Sequence, residues 1–154
     1  MNDTVFKDVQ ITQVAERLGV SKVVVNNIIT GYVEYLRSQI GKGYTARFLN
    51  ICYLVCKRDT DSTFETLAYT ATELSKKLNQ SPILVQRVLT EYEELLIKDL
   101  KNLHPYTVRG LVRIRLEKDY KGKFVVRIKK STAYNTYDVY VSTMGGFKRR
   151  VESA

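Results

Sequence analysis

An internal repeat runs through this chain of 154 residues. When residues 12–56 are shifted forward by sixty positions without a gap, eight pairs of residues are identical: Thr12/Thr72, Leu18/Leu78, Ser21/Ser81, Val25/Val85, Thr30/Thr90, Tyr32/Tyr92, Glu34/Glu94 and Leu36/Leu96. Exchanges between these identities keep apolar character, as at Ile28/Val88 and Ile51/Leu111. A long period of this kind indicates two copies of one supersecondary design. We therefore predict a pseudo-dimer encoded in a single chain.

The composition is that of a globular protein. With 44% hydrophobic residues, the chain can bury a core without help from metals or disulfides. No run of eighteen apolar residues occurs, and the N-terminus carries acidic residues where a signal peptide would need a basic and then an apolar run. We expect a soluble protein, either cytoplasmic and nucleoid-associated or packaged in a virion, with no membrane partner.

The net charge of +9 is unevenly distributed. Residues 1–99 hold twelve basic and twelve acidic side chains, whereas residues 100–154 hold thirteen basic and four acidic ones. A basic surface attracts nucleic acid, an anionic membrane or an acidic protein, and charge alone does not choose among them.

No residue pattern predicts catalysis or a metal centre. Cys52, Cys56 and the single His104 are too few for a closed zinc site. The residues sixty positions after the cysteines are Val112 and Leu116, so both thiols are predicted to be buried and reduced. His104 is predicted to be structural. Phosphate-binding glycine loops and nucleophile–base pairs are also missing, so we expect neither an enzyme, a cofactor nor a small-molecule substrate.

Each copy is predicted to open with a short helix and a long one. Thr12 and Ser21 are candidate N-caps in the first copy, and Thr70 with Glu73 and then Ser81 in the second. The long helices show matching apolar stripes, which predict a core face. These stripes comprise Val25, Ile28, Ile29, Tyr32, Leu36 and Ile40, and then Val85, Val88, Leu89, Tyr92, Leu96 and Leu100. Glu91, Glu93 and Glu94 are interpreted as a solvated helix face.

A β segment follows each long helix, at residues 46–56 and 106–118. The first is apolar on both faces, which indicates a strand covered on both sides. In the second, Val112, Ile114 and Leu116 alternate with arginines, as Val126 and Ile128 do with basic residues in the next strand. Matching both apolar sets predicts the pairs Leu116/Val126, Ile114/Ile128, Arg115/Arg127 and Arg113/Lys129, with a loop of residues 120–122 that ends in glycine.

The chain then contains a connector, residues 131–137, a possible strand around Val139 and Val141, and a basic segment from Phe147 to Arg150 that is either a tail or a short helix. We predict an α+β fold with a first unit at residues 1–57, a linker at 58–69 and a second unit at 70–154. Cations stacked across the hairpin repel one another unless an anionic partner neutralises them. A solvated face and a binding face are equally compatible with this pattern.

This order of elements resembles the HU and integration host factor family of histone-like DNA-binding proteins. The helix turn of the family resembles residues 19–22, Gly43 matches the glycine before its first strand, and its Gly-Phe-Gly-x-Phe turn falls on residues 50–54 and 110–114. The resemblance implies dimer-like packing of the helices and a β arm that follows the DNA minor groove. Only the second copy has an arm-like segment, residues 117–137, and Phe147-Lys148 resembles the start of the family's last helix.

The departures from the family bear on function. Pro82 and Pro105 are the only prolines, so the family's arm-tip proline has no counterpart and DNA kinking is not expected. Phosphate contacts need only basic side chains. The predicted DNA-binding or partner-binding residues are Arg113, Arg115, Lys118, Lys121, Lys123, Arg127, Lys129, Lys130, Lys148, Arg149 and Arg150.

Three functions therefore remain open. The first is a non-catalytic architectural protein that holds double-stranded DNA through phosphates with little sequence reading. The second is a virion structural protein of a tailed bacteriophage, in the ring or collar between portal and tail, whose partners are ring proteins or further copies of this chain. The third is a helix-turn-helix regulator, with base contacts from Asn26, Asn27, Gln86 and Arg87.

Overall fold

The computed structural model describes residues 8–57, 64–131 and 139–152. Each copy of the repeat begins with a pair of helices: α1 (Asp8–Leu18) and α2 (Lys22–Gly41), then α3 (Leu67–Leu78) and α4 (Pro82–Lys101). The bounds of α2 and α4 differ by sixty residues at both ends. The helical part of the repeat is therefore confirmed.

The caps of the long helices are those predicted, and those of the short helices are not. The hydroxyls of Ser21 and Ser81 each accept a hydrogen bond from the backbone amide of the third residue of the helix that follows. However, α1 already begins at Asp8, and α3 begins at Leu67 with Thr66 as its cap. Thr12 and Thr70 lie inside helices because buried Ile11 and Leu67 extend the apolar stripes by one turn towards the N-terminus. Helix α3 thus includes residues assigned above to the linker.

Each predicted β segment is a pair of antiparallel strands. In the first copy β1 (Ala46–Phe48) pairs with β2 (Cys52–Cys56), and in the second β3 (Tyr106–Val108) pairs with β4 (Val112–Lys118). The chain reverses between them in tight turns, closed by hydrogen bonds from Ile51 N to Phe48 O and from Leu111 N to Val108 O. The prediction that residues 46–56 are covered on both faces is confirmed, because Leu54 and Val55 point to opposite sides and both are buried.

The third strand of each sheet comes from the last third of the chain. Strand β5 (Phe124–Lys130) pairs with β4, in the register predicted from the sequence. Strand β6 (Val139–Thr143) returns to the first copy and pairs with β2. The sequence division assigned β6 to the second unit, but β6 instead pairs with the edge of β2 that β1 leaves free. Helix α5 (Gly145–Glu152) follows, so the basic segment is a helix.

One continuous core joins the two copies. Helix α1 packs on α4 as well as on α2, and α3 packs on α2 as well as on α4. The equivalent Tyr32 and Tyr92 are both buried beneath the sheets. The fold is α+β, with five helices and two antiparallel three-stranded sheets in the described residues. None of the described helices is long and apolar enough to cross a membrane.

Candidate nucleic-acid interface

The outer face of the β3-β4-β5 sheet presents four cations in two cross-strand pairs. Arg113 lies opposite Lys129, and Arg115 lies opposite Arg127, as the alternating pattern predicted. All four side chains are exposed, whereas Val112, Ile114 and Leu116, at the intervening positions of β4, are buried. Because a slip by one residue would bury arginine, burial of the apolar set holds the four cations on the solvent side.

A single carboxylate partly neutralises this face. Glu117 accepts hydrogen bonds from Arg115 and, at 3.3 Å, from Arg127. These two bonds lower the pKa of the Glu117 carboxyl below its usual value, and the bond from Arg115 has the larger effect. Four cations and one carboxylate give the face a net charge of +3. In the described part of the chain, neither Arg113 nor Lys129 has a hydrogen-bond or ion-pair partner.

The hairpin ends in the predicted three-residue loop, Tyr120 to Gly122. Gly122 has a φ of +79°, in the left-handed region that glycine adopts most easily. The Gly122 amide donates to Asp119 O at 2.9 Å, and the Asp119 carboxylate accepts from the backbone amides of Lys121 and Lys123 at 2.8 and 3.0 Å. The last buried pair is Leu116 and Val126, so the part of the predicted arm that the structure describes is only a short projection. Residues 132–137 of that arm lie outside the described residues.

The other predicted cations of the hairpin are not on this face. Lys118 and Lys130 are on the opposite side of the sheet, since their positions alternate with those of the four exposed cations. Lys118 places its ammonium 5.5 Å from the centre of the Phe124 ring. Lys121 and Lys123 are exposed in and beside the loop. Four cations of β4 and β5 thus lie on the outer face, whereas Lys118 and Lys130 lie on the opposite side of the sheet.

Helix α5 carries the remaining cations along the free edge of β5. The Glu152 carboxylate accepts a hydrogen bond from the Val126 amide at 2.8 Å and so caps this edge. Lys148 and Arg149 are exposed. Arg150 instead forms an ion pair at 3.1 Å with Glu93, which is only 3% exposed. Arg150 therefore has a structural contact in addition to its charge.

Glu93 was wrongly interpreted as part of a solvated helix face. Its second oxygen accepts a hydrogen bond from the Asn50 amide at 2.6 Å, so one side chain of α4 joins the β1–β2 turn to α5. The residue sixty positions earlier is Val33, which is also buried. The repeat contains a signal for this contact, because position 93 holds a carboxylate where the other copy has an apolar residue.

The equivalent face of the β1-β2-β6 sheet is covered at β1 and β2. We call residues 64–66 the strap. The ring of Phe64 packs edge-on against Tyr53, with 4.7 Å between ring centres. The Arg47 guanidinium donates to Glu65 O, at 3.0 Å, and to the Tyr53 hydroxyl, at 2.6 Å. Tyr53 and Val55 occupy the positions of Arg113 and Arg115 in the repeat, so this face has no counterpart of those cations.

The described residues include no cluster of three or more metal-ligating side chains. Cys52 and Cys56 are buried free thiols, as predicted, and burial raises the pKa of Cys52 to about 12. His104 is exposed and contacts Asp99 at 3.0 Å. A thiol with a raised pKa is a poor nucleophile at neutral pH.

Comparisons of this chain with protein-family models, with curated proteins and with solved structures find no match.

Proposed function

We propose that this protein is a non-catalytic, HU-like and integration-host-factor-like architectural protein that binds double-stranded DNA through phosphate contacts. The observation that carries the proposal is the outer face of the β3-β4-β5 sheet. This face exposes a group of four cations: Arg113, Arg115, Arg127 and Lys129. Two of the four have no partner in the described residues. Cations stacked in this way repel one another, and an anionic ligand relieves the repulsion.

The spacing of these four cations matches the spacing of phosphates along a DNA strand. Residues two apart on a strand are separated by about 6.8 Å, and neighbouring strands lie about 4.8 Å apart. Phosphates advance by about 3.4 Å per base pair along one DNA strand, so two cations on one β-strand match about two base pairs. Arginine and lysine contacts to phosphate position a protein on DNA without reading its sequence. We therefore expect little sequence preference.

The interface is one-sided. The strap covers the β1–β2 part of the corresponding face of the other sheet, where Arg47 already donates hydrogen bonds to Glu65 O and the Tyr53 hydroxyl. A single face with four cations supports about four phosphate contacts, which corresponds to a slope of about −3 to −4 for the logarithm of affinity against that of salt concentration. DNA gripped on one face of the protein is not wrapped, so we expect no large bend.

Fluorescence anisotropy with a random 20-base-pair duplex at 50 to 200 mM salt tests the proposal. We expect the double variant Arg113→Ala with Lys129→Ala to bind about 100-fold more weakly at 0.1 M salt, at about tenfold per lost contact, and to show a shallower salt slope. Arg87→Ala is a matched control, because Arg87 is an exposed cation on α4. It is also a base reader in the helix-turn-helix alternative. Failure of the wild type to bind duplex at low salt would overturn the proposal.

A structural role in a virion is the second candidate. Large apolar side chains are exposed at two pairs of repeat-equivalent positions in the first turns of the helices: Val9 with Tyr69, and Val23 with Ile83. Exposed apolar groups that recur in both copies favour contacts with protein neighbours. Native mass spectrometry with and without duplex DNA separates the candidates, since a ring of copies without DNA favours the virion role.

A further inference from the structure

Tyr120 is left in water at the tip of the β4–β5 hairpin. Its side chain is 92% exposed, whereas the other exposed large hydrophobic residues of the described chain range from 48 to 71%. Aromatic rings at such positions contribute little to folding, because they gain stability mainly by removing their surface from water. The ring is therefore available to a ligand.

The turn beneath Tyr120 is well ordered by its own hydrogen bonds. Asp119 N donates to Lys123 O at 2.9 Å, and the Asp119 carboxylate accepts two backbone amides of the loop. Tyr120 and Lys121 occupy the two central positions of the turn closed by the Gly122 amide. A ring presented on an ordered turn loses little conformational entropy when it binds.

One cation lies beside the ring, and two more flank the loop in sequence. The Lys121 ammonium lies 5.5 Å from the centre of the Tyr120 ring, and Lys118 and Lys123 flank the loop. An aromatic face beside several ammonium groups is the combination that holds single-stranded nucleic acids, since the ring stacks on a base while the cations contact phosphates. We propose that the hairpin tip binds an unpaired base of a single-stranded nucleic acid by stacking it on Tyr120.

The ligand must be unpaired because both faces of a base are covered by its neighbours inside a duplex. Every base has a π face, so the tip discriminates strandedness and not sequence. DNA and RNA share this chemistry. The inference rests on the proposed function, to which it adds a second contact; the outer face of the sheet holds duplex phosphates and the tip holds a single strand.

The first test measures affinity for 12-residue oligothymidylate and 12-residue oligouridylate at low salt. We expect Tyr120→Ala to weaken binding about tenfold and Tyr120→Phe to retain it, because the phenyl ring still stacks. Affinity for intact duplex should stay within about twofold of the wild type. The DNA and RNA arms show which single strand the tip prefers.

The second test uses the absence of tryptophan from the chain. Tyr120→Trp introduces a single fluorophore at the tip, and we expect added oligothymidylate to quench its emission as the indole stacks on a base. Tyr69→Trp is the matched control, because Tyr69 is 53% exposed but lies on α3. Its emission should not change.

Three results would overturn the inference: no binding of either oligonucleotide, equal binding by Tyr120→Ala, or equal quenching at both tryptophan positions. The proposed function fails separately, when the wild type does not bind duplex or when duplex affinity ignores Arg113 and Lys129. If the tip binds a protein instead, Tyr120→Ala will leave oligonucleotide binding unchanged. That result counts against the inference.

Discussion

The two sheets of this protein occupy equivalent places in the repeat and have opposite outer surfaces. The β3-β4-β5 sheet exposes Arg113 and Arg115 to solvent. At the same repeat positions the β1-β2-β6 sheet has Tyr53 and Val55, which are half-buried and buried. One face carries four exposed cations, whereas the β1–β2 part of the other is covered by the strap.

This difference teaches how two copies of one supersecondary design can present different outer surfaces. Helices α2 and α4 and strands β1 and β3 coincide after a shift of sixty residues, and β2 and β4 begin at equivalent positions. The outward positions of β2 and β4 differ in chemistry, with Tyr53 and Val55 in place of Arg113 and Arg115, and outward positions contribute less to the core than inward ones. In the first copy Tyr53 packs against the strap, whereas in the second copy the equivalent Arg113 is open to solvent.

Exchanging the outward residues breaks the comparison most directly. The variant Arg113→Tyr with Arg115→Val gives the open sheet the residues of the covered one. We expect it to remain folded, because β-branched and aromatic residues suit strands, and to bind duplex about 100-fold more weakly at 0.1 M salt. Anisotropy titrations measure the loss, and circular dichroism checks the fold. An affinity equal to that of the wild type would refute a role for this face.

Removing the Glu93 carboxylate tests the contact that links the β1–β2 turn to α5. We expect Glu93→Ala to lower the free energy of unfolding by about 2 kcal/mol, because it leaves the Asn50 amide without its acceptor and Arg150 without its carboxylate. Urea denaturation followed by circular dichroism measures the change. The control is Glu94→Ala at an exposed neighbouring position, expected within about 0.5 kcal/mol of the wild type. Similar losses in both variants would contradict the special role of Glu93.

The covered sheet should depend on the hydroxyl of Tyr53. It accepts from Arg47 at 2.6 Å and donates to Glu65 O at 3.3 Å. We expect Tyr53→Phe to reduce the free energy of unfolding by about 1 kcal/mol. Tyr140→Phe, on the neighbouring strand β6, has no such contacts in the described chain and should be neutral. An equal effect of the two variants would show that the strap contributes nothing through this bond.

The smallest effect concerns the carboxylate of the open face. Its arginine partners lower the pKa of Glu117, so it is charged at neutral pH and reduces the positive charge of the face. We expect Glu117→Gln to strengthen duplex binding about two- to fivefold. A lowered pKa also means that Glu117 stabilises the fold above its ordinary pKa of about 4.3, and that this contribution is lost as the pH falls through the folded-state pKa. The variant should lack this acid dependence, and weaker duplex binding would contradict the assignment.

Several features were predictable from sequence because they depend on local periodicity. The apolar stripes of α2 and α4 and the alternation along β4 and β5 each repeat at the period of their own element. Matching two alternating strands leaves only one register that keeps arginine out of the core, and glycine at position 122 is suited to the loop that follows. The four cations of the open face were predicted on these grounds.

Other features depend on which distant parts of the chain meet, and sequence periodicity carries no such information. The early starts of α1 and α3 follow from burial of one further turn. The strap is only three residues long and has no pattern that indicates the sheet it covers. In the sequence nothing distinguishes Arg150 from its basic neighbours, but in the fold α5 places Arg150 beside Glu93.

The amino-acid sequence thus determined the repeat, the helices, the hairpin and the side of the sheet on which its charges lie, because each follows from the spacing of apolar residues along one element. Only the tertiary structure decided that β6 completes the first sheet, that the strap covers the β1–β2 part of one outer face, and that Glu93 joins α5 to the β1–β2 turn. These outcomes depend on open strand edges and unsatisfied polar groups, which exist only once the two copies have packed together.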